Sequence, residues 1–486
     1  MINDIREAIA TKLPAGGFAR NVVTLMTGTT LAQALAILVA PILTRLYGPG
    51  DYGVSALYGS ILGIFTVAAC WRYELAIVLP EKDEDAANVL ALSILICFIM
   101  AALSFILVAL FRIPLAQLLG APELAPWLWF MPLSLIAAGL FQAFNYWSTR
   151  RKQFKRLAAR TITQSTVTAG VQLGAGAILH PGPGGLIGGS IFGQLVATVQ
   201  LACQIAKDEG SLIISNINRK DFKRVLVRYK RFPLFDSWAS MLNTASTMLP
   251  ALLLGYFFSP TVVGHYTLGY QVLAMPMGLV GSSIAQVFFP KAAEARHSGN
   301  LDQLALDMFK RLLTIGFVPI LLIAIVAPNL FTIIFGERWW IAGVFVRWLS
   351  LWMLFVFISS PISTIYTVLE RQREFLIVNF IMFTTRLLAL IIGGIKGNVL
   401  LTIALFGITS TVLYIFNCTY ILYMAGVTLR KTFTAILKQF FQAAPYALLT
   451  IIVWYGTNNS LAFVLTGIGA GLIFVMVQAY RIKKRG

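Results

Sequence analysis

Fourteen stretches of this chain are each long and apolar enough to cross a lipid bilayer, which limits the fold more than any other feature. They run over 21–44, 52–79, 88–111, 126–147, 161–180, 186–206, 232–257, 265–289, 312–335, 342–369, 375–393, 399–424, 441–456 and 461–480. A spanning helix needs about 20 mainly apolar residues, and in lipid every backbone polar group has to be satisfied within the structure. The connectors carry chain-reversing residues, as in Gly48-Pro49-Gly50-Asp51, Pro181–Gly185, Ser259-Pro260 and Thr457–Ser460. Composition agrees. Hydrophobic residues make up 58% of the chain and charged residues 12%, against about 45–50% and about 25% in soluble domains. Too few polar groups remain to cover a water-facing surface. The expectation is an all-α integral membrane protein with fourteen transmembrane helices.

The formal net charge of +19 is not a nucleic-acid signal, because no basic patch with interleaved aromatics lies on a soluble domain. The cations lie in short segments between apolar runs, as the positive-inside rule requires of cytoplasmic loops. With the N-terminus inside, the outside loops carry only Arg45, Arg112, Arg338 and Lys396, and the spans hold Arg72, Arg347 and Arg386. The rest of the 38 Lys and Arg fall on inside segments. One helix more or fewer would invert every later loop, so both termini are expected in the cytoplasm. Met1–Arg20 lacks a short apolar core with a small-residue cleavage site, so the first span reads as a retained helix.

The longest and most basic connector, 207–231, divides six helices from eight. A weak internal repeat accompanies the division. Tyr47-Gly48-Pro49 through Gly53 to Leu79-Pro80 is echoed by Phe258-Ser259-Pro260 through Gly264 to Phe289-Pro290. Six helices separate the copies, so both enter the membrane in the same direction, as parallel transporter repeats do. The expected organisation is an N-lobe at 1–206 and a basic cytoplasmic linker at 207–231. A C-lobe follows at 232–424, with two extra helices at 425–486. Two pseudo-symmetric six-helix lobes would enclose a central cavity.

Enzyme and nucleotide signatures are missing. There is no G-x-x-x-x-G-K-[ST], H-E-x-x-H, G-x-S-x-G or S-x-x-K constellation at a plausible site, so no cofactor or metal is expected. Cys70, Cys97, Cys203 and Cys418 all fall in apolar runs without a CxxC pair and read as buried thiols. His180, His265 and His297 fall at or near helix ends and read as interfacial or loop residues.

Charged and polar side chains inside spans are the candidates for function, because a charge near the bilayer centre costs about 2.5–3.5 kcal/mol on insertion scales. Arg386 lies about 18 Å past Glu374 at 1.5 Å per residue, near mid-membrane, with Asn379 seven residues earlier on the same face. Arg386 either lines a cavity or serves another helix as a structural partner. Asp236, Ser240, Asn243 and Thr247 form one helical face, either a cavity lining or polar helix packing. Asp236 itself lies near the interface, within reach of Arg231 or Lys230. Arg72 and Glu74, two apart, point in different directions on a regular helix, and Arg72 has the alternative of snorkelling beside Trp71. Arg347, near Trp339, Trp340 and Trp348, reads as an interfacial anchor, and Gln164, Thr168 and Gln172 give the fifth helix a weaker polar face. An excess of arginine over buried acid favours an anionic or phosphorylated solute, since guanidinium forks bind phosphate oxygens in a bidentate way.

Leu43-Thr44-Arg45-Leu46-Tyr47-Gly48-Pro49-Gly50-Asp51-Tyr52-Gly53, followed by Arg72-Tyr73-Glu74 and Leu79-Pro80, resembles the start of O-antigen and capsular polysaccharide flippases. These belong to the multidrug/oligosaccharidyl-lipid/polysaccharide exporter superfamily. Three other stretches are similar to that family: Tyr146-Trp147 through Arg150, Phe154 and Arg160 to Gln164; Phe232-Pro233-Leu234 with Asn243; and Gln286 to Ala292. The resemblance implies a V-shaped cavity and alternating access. It also implies a polyprenyl-pyrophosphate-linked oligosaccharide substrate, flipped to the periplasmic leaflet of the bacterial inner membrane. By that analogy Arg72 and Arg386 receive the pyrophosphate, with Asn379, Asn243 and Arg347 as further substrate-binding residues. Asp236 and Glu74 are the candidates for ion coupling, and the last two helices would form a groove for the lipid tail. Membrane lipids, a polysaccharide polymerase and a chain-length regulator are the implied partners.

Two other functions compete. An ion-coupled drug or metabolite antiporter would usually need only twelve helices, and the arginine excess disfavours a cationic drug. An integral-membrane polymerase or glycosyltransferase would need a larger extramembrane loop or a carboxylate cluster at the membrane face. The topology is open to test at the last outside connector: a cysteine replacing Asn458 should react with an impermeant maleimide added from the periplasmic side. Protection there would refute the final helix pair.

Overall fold

The computed structural model describes residues 17–178, 182–276, 282–457 and 459–485. His180 and Asn458 lie outside them. Among the described residues the regular structure is entirely helical, and the sixteen longest helices are labelled here in chain order. They are α1 (Gly17–Leu46), α2 (Pro49–Val67), α3 (Asp83–Leu118), α4 (Met131–Arg150), α5 (Phe154–Ile178), α6 (Pro183–Asn216), α7 (Arg219–Arg228) and α8 (Ser237–Phe257). There follow α9 (Pro260–Pro276), α10 (Ser282–Ser298), α11 (Leu301–Phe335), α12 (Trp340–Ile362), α13 (Gln372–Ile395), α14 (Val399–Met424), α15 (Leu429–Thr457) and α16 (Ser460–Arg485).

Nine helices among the described residues are long and apolar enough to cross a membrane. A tenth arises if α4 and the short segment Pro122–Leu128 before it, bent by 56°, form one span. The four other expected spans coincide with helices that are shorter, broken or more polar. α2 stops at Val67, α5 opens with Lys155, Arg156 and Arg160, α8 carries its Ser/Asn/Thr stripe, and α9 and α10 have 17 residues each. The chain is therefore a multi-pass membrane protein, while the full count of fourteen crossings rests on the loop charges.

Local sequence explains the helix starts. Pro49 and Pro260 each open a helix, where proline loses no hydrogen bond. Gly48 donates its amide to Asp51 Oδ2 at 2.8 Å, which closes the first turn of α2. The end of α2 is less ordinary. The chain leaves the α-helix after Val67, passes through left-handed backbone at Trp71 (φ 48°) and Arg72 (φ 63°), and continues as a 3₁₀ turn over Tyr73–Val78. Two successive non-glycine residues in this region store strain that the surroundings have to hold.

Contacts divide the chain into two compact units, Met1–Pro260 and Thr261–Gly486. In the first, α5 packs between α1 and α6, α4 joins α3 to α6, and α8 lies along α2. Its core gathers Tyr73, Ile77, Leu90, Trp147, Leu201 and Ile205. In the second, α12 is central, flanked by α11 and α14, with α13 against α14 and the α15–α16 pair against α11. Phe309, Leu313, Phe317, Leu354, Ile358 and Ile421 fill its core. Exposed side chains such as Leu38, Leu110, Leu376, Ile395, Phe441 and Leu472 are large and apolar, the arrangement of a surface whose solvent is lipid.

Some sequence expectations change here. Cys70, Cys97 and Cys418 are buried, but Cys203 is exposed on α6. His265, read as interfacial, is 3% exposed and lies edge-on to Trp339 and Phe345. Burial follows because α9 starts at Pro260, which places His265 inside the helix. His297, in the last turn of α10, is exposed. The polar face of α5 is used for packing: Gln164 Nε2 donates to Gln194 Oε1 at 2.6 Å and Gln172 Nε2 to the Leu186 carbonyl at 3.1 Å.

Small residues let the helix backbones of the second unit approach, as is usual in membranes. A Cβ at Gly343 would lie 2.5 Å from the Ala327 oxygen and 2.5 Å from Pro328 Cα. Gly343→Val should therefore destabilise the protein by about 1–3 kcal/mol, the usual cost of overpacking, seen as a lowered thermal midpoint. Gly469→Ala, where a Cβ meets nothing within 4 Å, should leave the midpoint unchanged or slightly raised.

Candidate functional site

Each unit holds an arginine arrangement of unusual chemistry, at Arg72 in the first and at Arg386 in the second. In the first unit three residues that the sequence singles out converge on one point. Arg72 Nε donates to Asp236 Oδ2 at 2.8 Å, and Arg72 Nη1 lies 3.7 Å from Glu74 Oε1. Two expectations are corrected here. Arg72 and Glu74 do face each other, because the helix has broken and the regular-helix geometry that would separate them no longer applies. Asp236 pairs with Arg72 across 164 residues of sequence. The π-helical turn over Phe232–Asp236 carries it there.

Glu74 is fully buried, and neither of its carboxylate oxygens accepts a hydrogen bond from a described residue. Asp236 keeps 43% of its side chain exposed and Arg72 25%. The cluster is thus graded, from a closed carboxylate through a half-open guanidinium to an open carboxylate. The Tyr146 phenol lies within electrostatic reach of all three charges. Beside them is an apolar cavity of about 190 Å³, lined by Ile64, Phe65, Trp71, Met100, Trp238 and Met241 among others. Trp71 and Trp238 meet edge to face with centroids 6.2 Å apart. The rest of the α8 stripe is open: Ser240 is half-buried, while Asn243 and Thr247 are exposed. Polar packing against a neighbouring helix does not account for it.

In the second unit Arg386 on α13 has no described carboxylate to pair with. Its Nε and Nη2 are buried and lack hydrogen-bond partners among the described residues. Two aromatic rings take the place of a counter-ion. The guanidinium carbon lies 5.1 Å from the centroid of the Trp352 ring and 5.0 Å from that of Tyr414. A second layer stiffens these rings: Trp352 stacks on Tyr270 at 6.1 Å, Tyr270 on Tyr266 at 5.9 Å, and Phe406 meets Trp352 edge-on at 5.1 Å. Each desolvated cation–π contact contributes about 1–2 kcal/mol, so two of them roughly offset the insertion cost of the charge. Hydrogen-bonding capacity is left over.

The other two candidates of this unit stand apart from that ring. Asn379 is exposed, and its amide donates to the Phe375 carbonyl of its own helix at 2.7 Å. Arg347 is exposed and reaches the Ile325 carbonyl at 3.4 Å. It precedes Trp352 by five residues, about 140° around α12, and so faces away from Arg386. The aromatic ring itself escaped the sequence reading. Tyr266 and Tyr270, at i and i+4, carried a usable signal. Trp352 and Tyr414 had none, since they come from two other helices.

Among the described residues, no group of three His, Cys, Asp or Glu is placed to hold a metal ion. What the two sites offer is anion chemistry: one guanidinium already shared between carboxylates, and one with unused donors between aromatic faces. Removing Arg72 would leave Glu74 as a buried charge without compensation, which costs about 3–5 kcal/mol. Arg72→Ala should lower the thermal midpoint of the purified protein sharply, and Glu74→Gln in the same chain should recover at least half of the loss. A double variant no more stable than Arg72→Ala would show that Glu74 is not the coupled partner.

Comparison with known proteins places these features in context. The profile of the polysaccharide biosynthesis protein family matches residues 42–342. The teichuronic acid biosynthesis protein TuaB of Bacillus subtilis is 22% identical over 259 residues, 51% of this chain and 53% of that one. The lipopolysaccharide biosynthesis protein WzxC of Escherichia coli is 24% identical over 296 residues, 58% and 56% of the two chains. The succinoglycan biosynthesis transport protein ExoT of Rhizobium meliloti is 23% identical over 328 residues, 66% and 63%. The matches thus span a little over half of each relative's length. In fold, the chain is similar to the lipid II flippase MurJ in its inward closed conformation. The TM-score is 0.65 at 16% identity, covering 95% of this chain and 99% of that one. An inward-facing MATE family transporter of the MOP superfamily gives 0.61 at 16% identity, covering 84% and 96%. With the family profile covering well over half of its length, the chain belongs to the polysaccharide biosynthesis protein family, and its fold is similar to those of MurJ and the MATE family transporter.

Proposed function

We propose that this protein flips a polyprenyl-pyrophosphate-linked oligosaccharide from the cytoplasmic to the periplasmic leaflet of the bacterial inner membrane, by alternating access, for surface polysaccharide biosynthesis. The observation that carries the reading is Arg386, a guanidinium with buried, unused donors held between Trp352 and Tyr414. A pyrophosphate supplies the missing charge and the missing acceptors together, in the bidentate geometry that guanidinium favours. The aromatic faces beside it present an apolar platform to the C–H faces of sugar rings. A cationic drug would meet repulsion at the same place. Family membership and relatives named for teichuronic acid, lipopolysaccharide and succinoglycan biosynthesis support the same reading.

In this proposal the Arg72 cluster couples transport to an ion gradient. Asp236 and Glu74 compete with the substrate phosphate for one guanidinium. A proton arriving on either carboxylate frees Arg72 to bind the anion, and its departure restores the ion pair and expels the anion. The open Ser240, Asn243 and Thr247 stripe then offers hydroxyl and amide groups to the sugars. The six-helix lobes on either side of residues 207–231 cross the membrane with both termini in the cytoplasm. A polysaccharide polymerase and a chain-length regulator receive the product.

Arg386→Ala should abolish surface-glycan export in cells that depend on this protein, with protein levels unchanged. Arg386→Lys keeps the charge but loses the fork, and should retain part of the export. Normal glycan display by the Ala variant would remove Arg386 from the substrate path.

A further inference from the structure

A cavity lined by cations lies elsewhere in the second unit, apart from Arg386. We propose that a cavity of about 600 Å³ among α11, α15 and α16 binds the phosphate of a lipid headgroup, on the membrane face that carries the basic connectors. Lys310 of α11 and Arg430, Lys431 and Lys438 of α15 line it, and no acidic residue does. None of the four is paired with a described acidic side chain. Asp302 and Asp307 share α11 with Lys310, but neither lines the cavity. Four like charges around one cavity repel one another, and an anion bound among them relieves the repulsion.

The wall also supplies a neutral donor. Gln439, 7% exposed, donates Nε2 to Thr314 Oγ1 at 2.5 Å. With that lone pair occupied, the Thr314 hydroxyl is left to donate its own proton, and Thr314 lines the cavity. The volume falls within the ordinary range of small-molecule sites, about 300–1,000 Å³.

Depth identifies the ligand class. Lys310 lies nine residues after the start of α11 and Lys438 nine after the start of α15, about 14 Å along each helix. Gln478, on the third wall, lies seven residues before the end of α16, about 10 Å. Apolar stretches begin immediately afterwards, at 312 on α11 and at 441 on α15, so the cavity is level with lipid headgroups rather than acyl chains. The exposed Phe433, Leu437, Phe440 and Phe441 of α15 give the attached chains an apolar surface. A soluble phosphate metabolite would not need such neighbours. Bulk anionic phospholipid and polyprenyl phosphate share the required chemistry.

The test uses the full-length protein and native mass spectrometry after incubation with phosphatidylglycerol, undecaprenyl phosphate or phosphatidylcholine. Binding should be several-fold tighter for at least one of the two anionic lipids than for phosphatidylcholine. Lys310→Gln/Arg430→Gln/Lys431→Gln/Lys438→Gln should weaken it at least about tenfold, since each cation near a membrane surface contributes roughly fivefold. Lys310→Arg/Lys431→Arg/Lys438→Arg should retain it. Preference for undecaprenyl phosphate alone identifies the isoprenoid source, and equal binding of both anionic lipids identifies the bulk membrane as sufficient; either supports the site. Equal binding of all three lipids, or of wild type and the Gln variant, overturns it. Should the Gln variant fail to fold, hydrogen exchange of wild type in nanodiscs decides. Residues 429–442 should be protected in phosphatidylcholine/phosphatidylglycerol discs relative to pure phosphatidylcholine discs, and no difference there would equally overturn the proposal.

Discussion

A guanidinium cannot be deprotonated to escape hydrocarbon, so a buried arginine obliges its surroundings to carry the charge. The two units meet that obligation differently. The first sets two carboxylates beside Arg72, one of which accepts its Nε–H while the other balances its charge from 3.7 Å. The second encloses Arg386 with aromatic faces, which stabilise the charge without occupying the N–H groups. A carboxylate partner satisfies an arginine; an aromatic partner keeps it available. The contrast suits two roles: a site that exchanges partners, and a site that waits for one.

Geometry for the first site comes from a broken helix. Had α2 continued as the apolar pattern of 52–79 suggests, Arg72 and Glu74 would have pointed apart. Left-handed backbone at Trp71 and Arg72 turns the chain and feeds the 3₁₀ turn that buries Glu74. The strain is sustained by packing, since Tyr73 and Ile77 sit in the core of the unit with Leu90 and Trp147. In the second unit, α12 supplies both the glycine-lined seam and the Trp352 face of the aromatic ring, so tight helix packing fixes where Arg386 is held.

Much of the fold was legible because the bilayer imposes a length. Twenty apolar residues between charged connectors mark a span whatever surrounds them, and nine described helices meet that standard. Residues less apolar than their neighbours were legible as candidates, and Arg72, Glu74, Asp236 and Arg386 do lie in the two arginine sites. Their partners were harder to read. No glycine or proline marks the break at Trp71–Arg72, and the Arg72–Asp236 contact spans 164 residues with no local pattern. Asn379 shares a helical face with Arg386 by spacing, yet it turns its amide to its own backbone. The ring around Arg386 draws on three helices besides α13, and only its Tyr266–Tyr270 ladder is periodic in sequence.

The absence of a described acid beside Arg386 also has an electrical consequence. A resident carboxylate would have cancelled its charge and left the unit with no net charge at that depth. With rings as its partners among the described residues, the guanidinium keeps its full positive charge there. Work of about 2.3 kcal/mol per elementary charge for every 100 mV crossed then acts on that guanidinium, so any displacement of α13 along the membrane normal is one that a membrane voltage can bias.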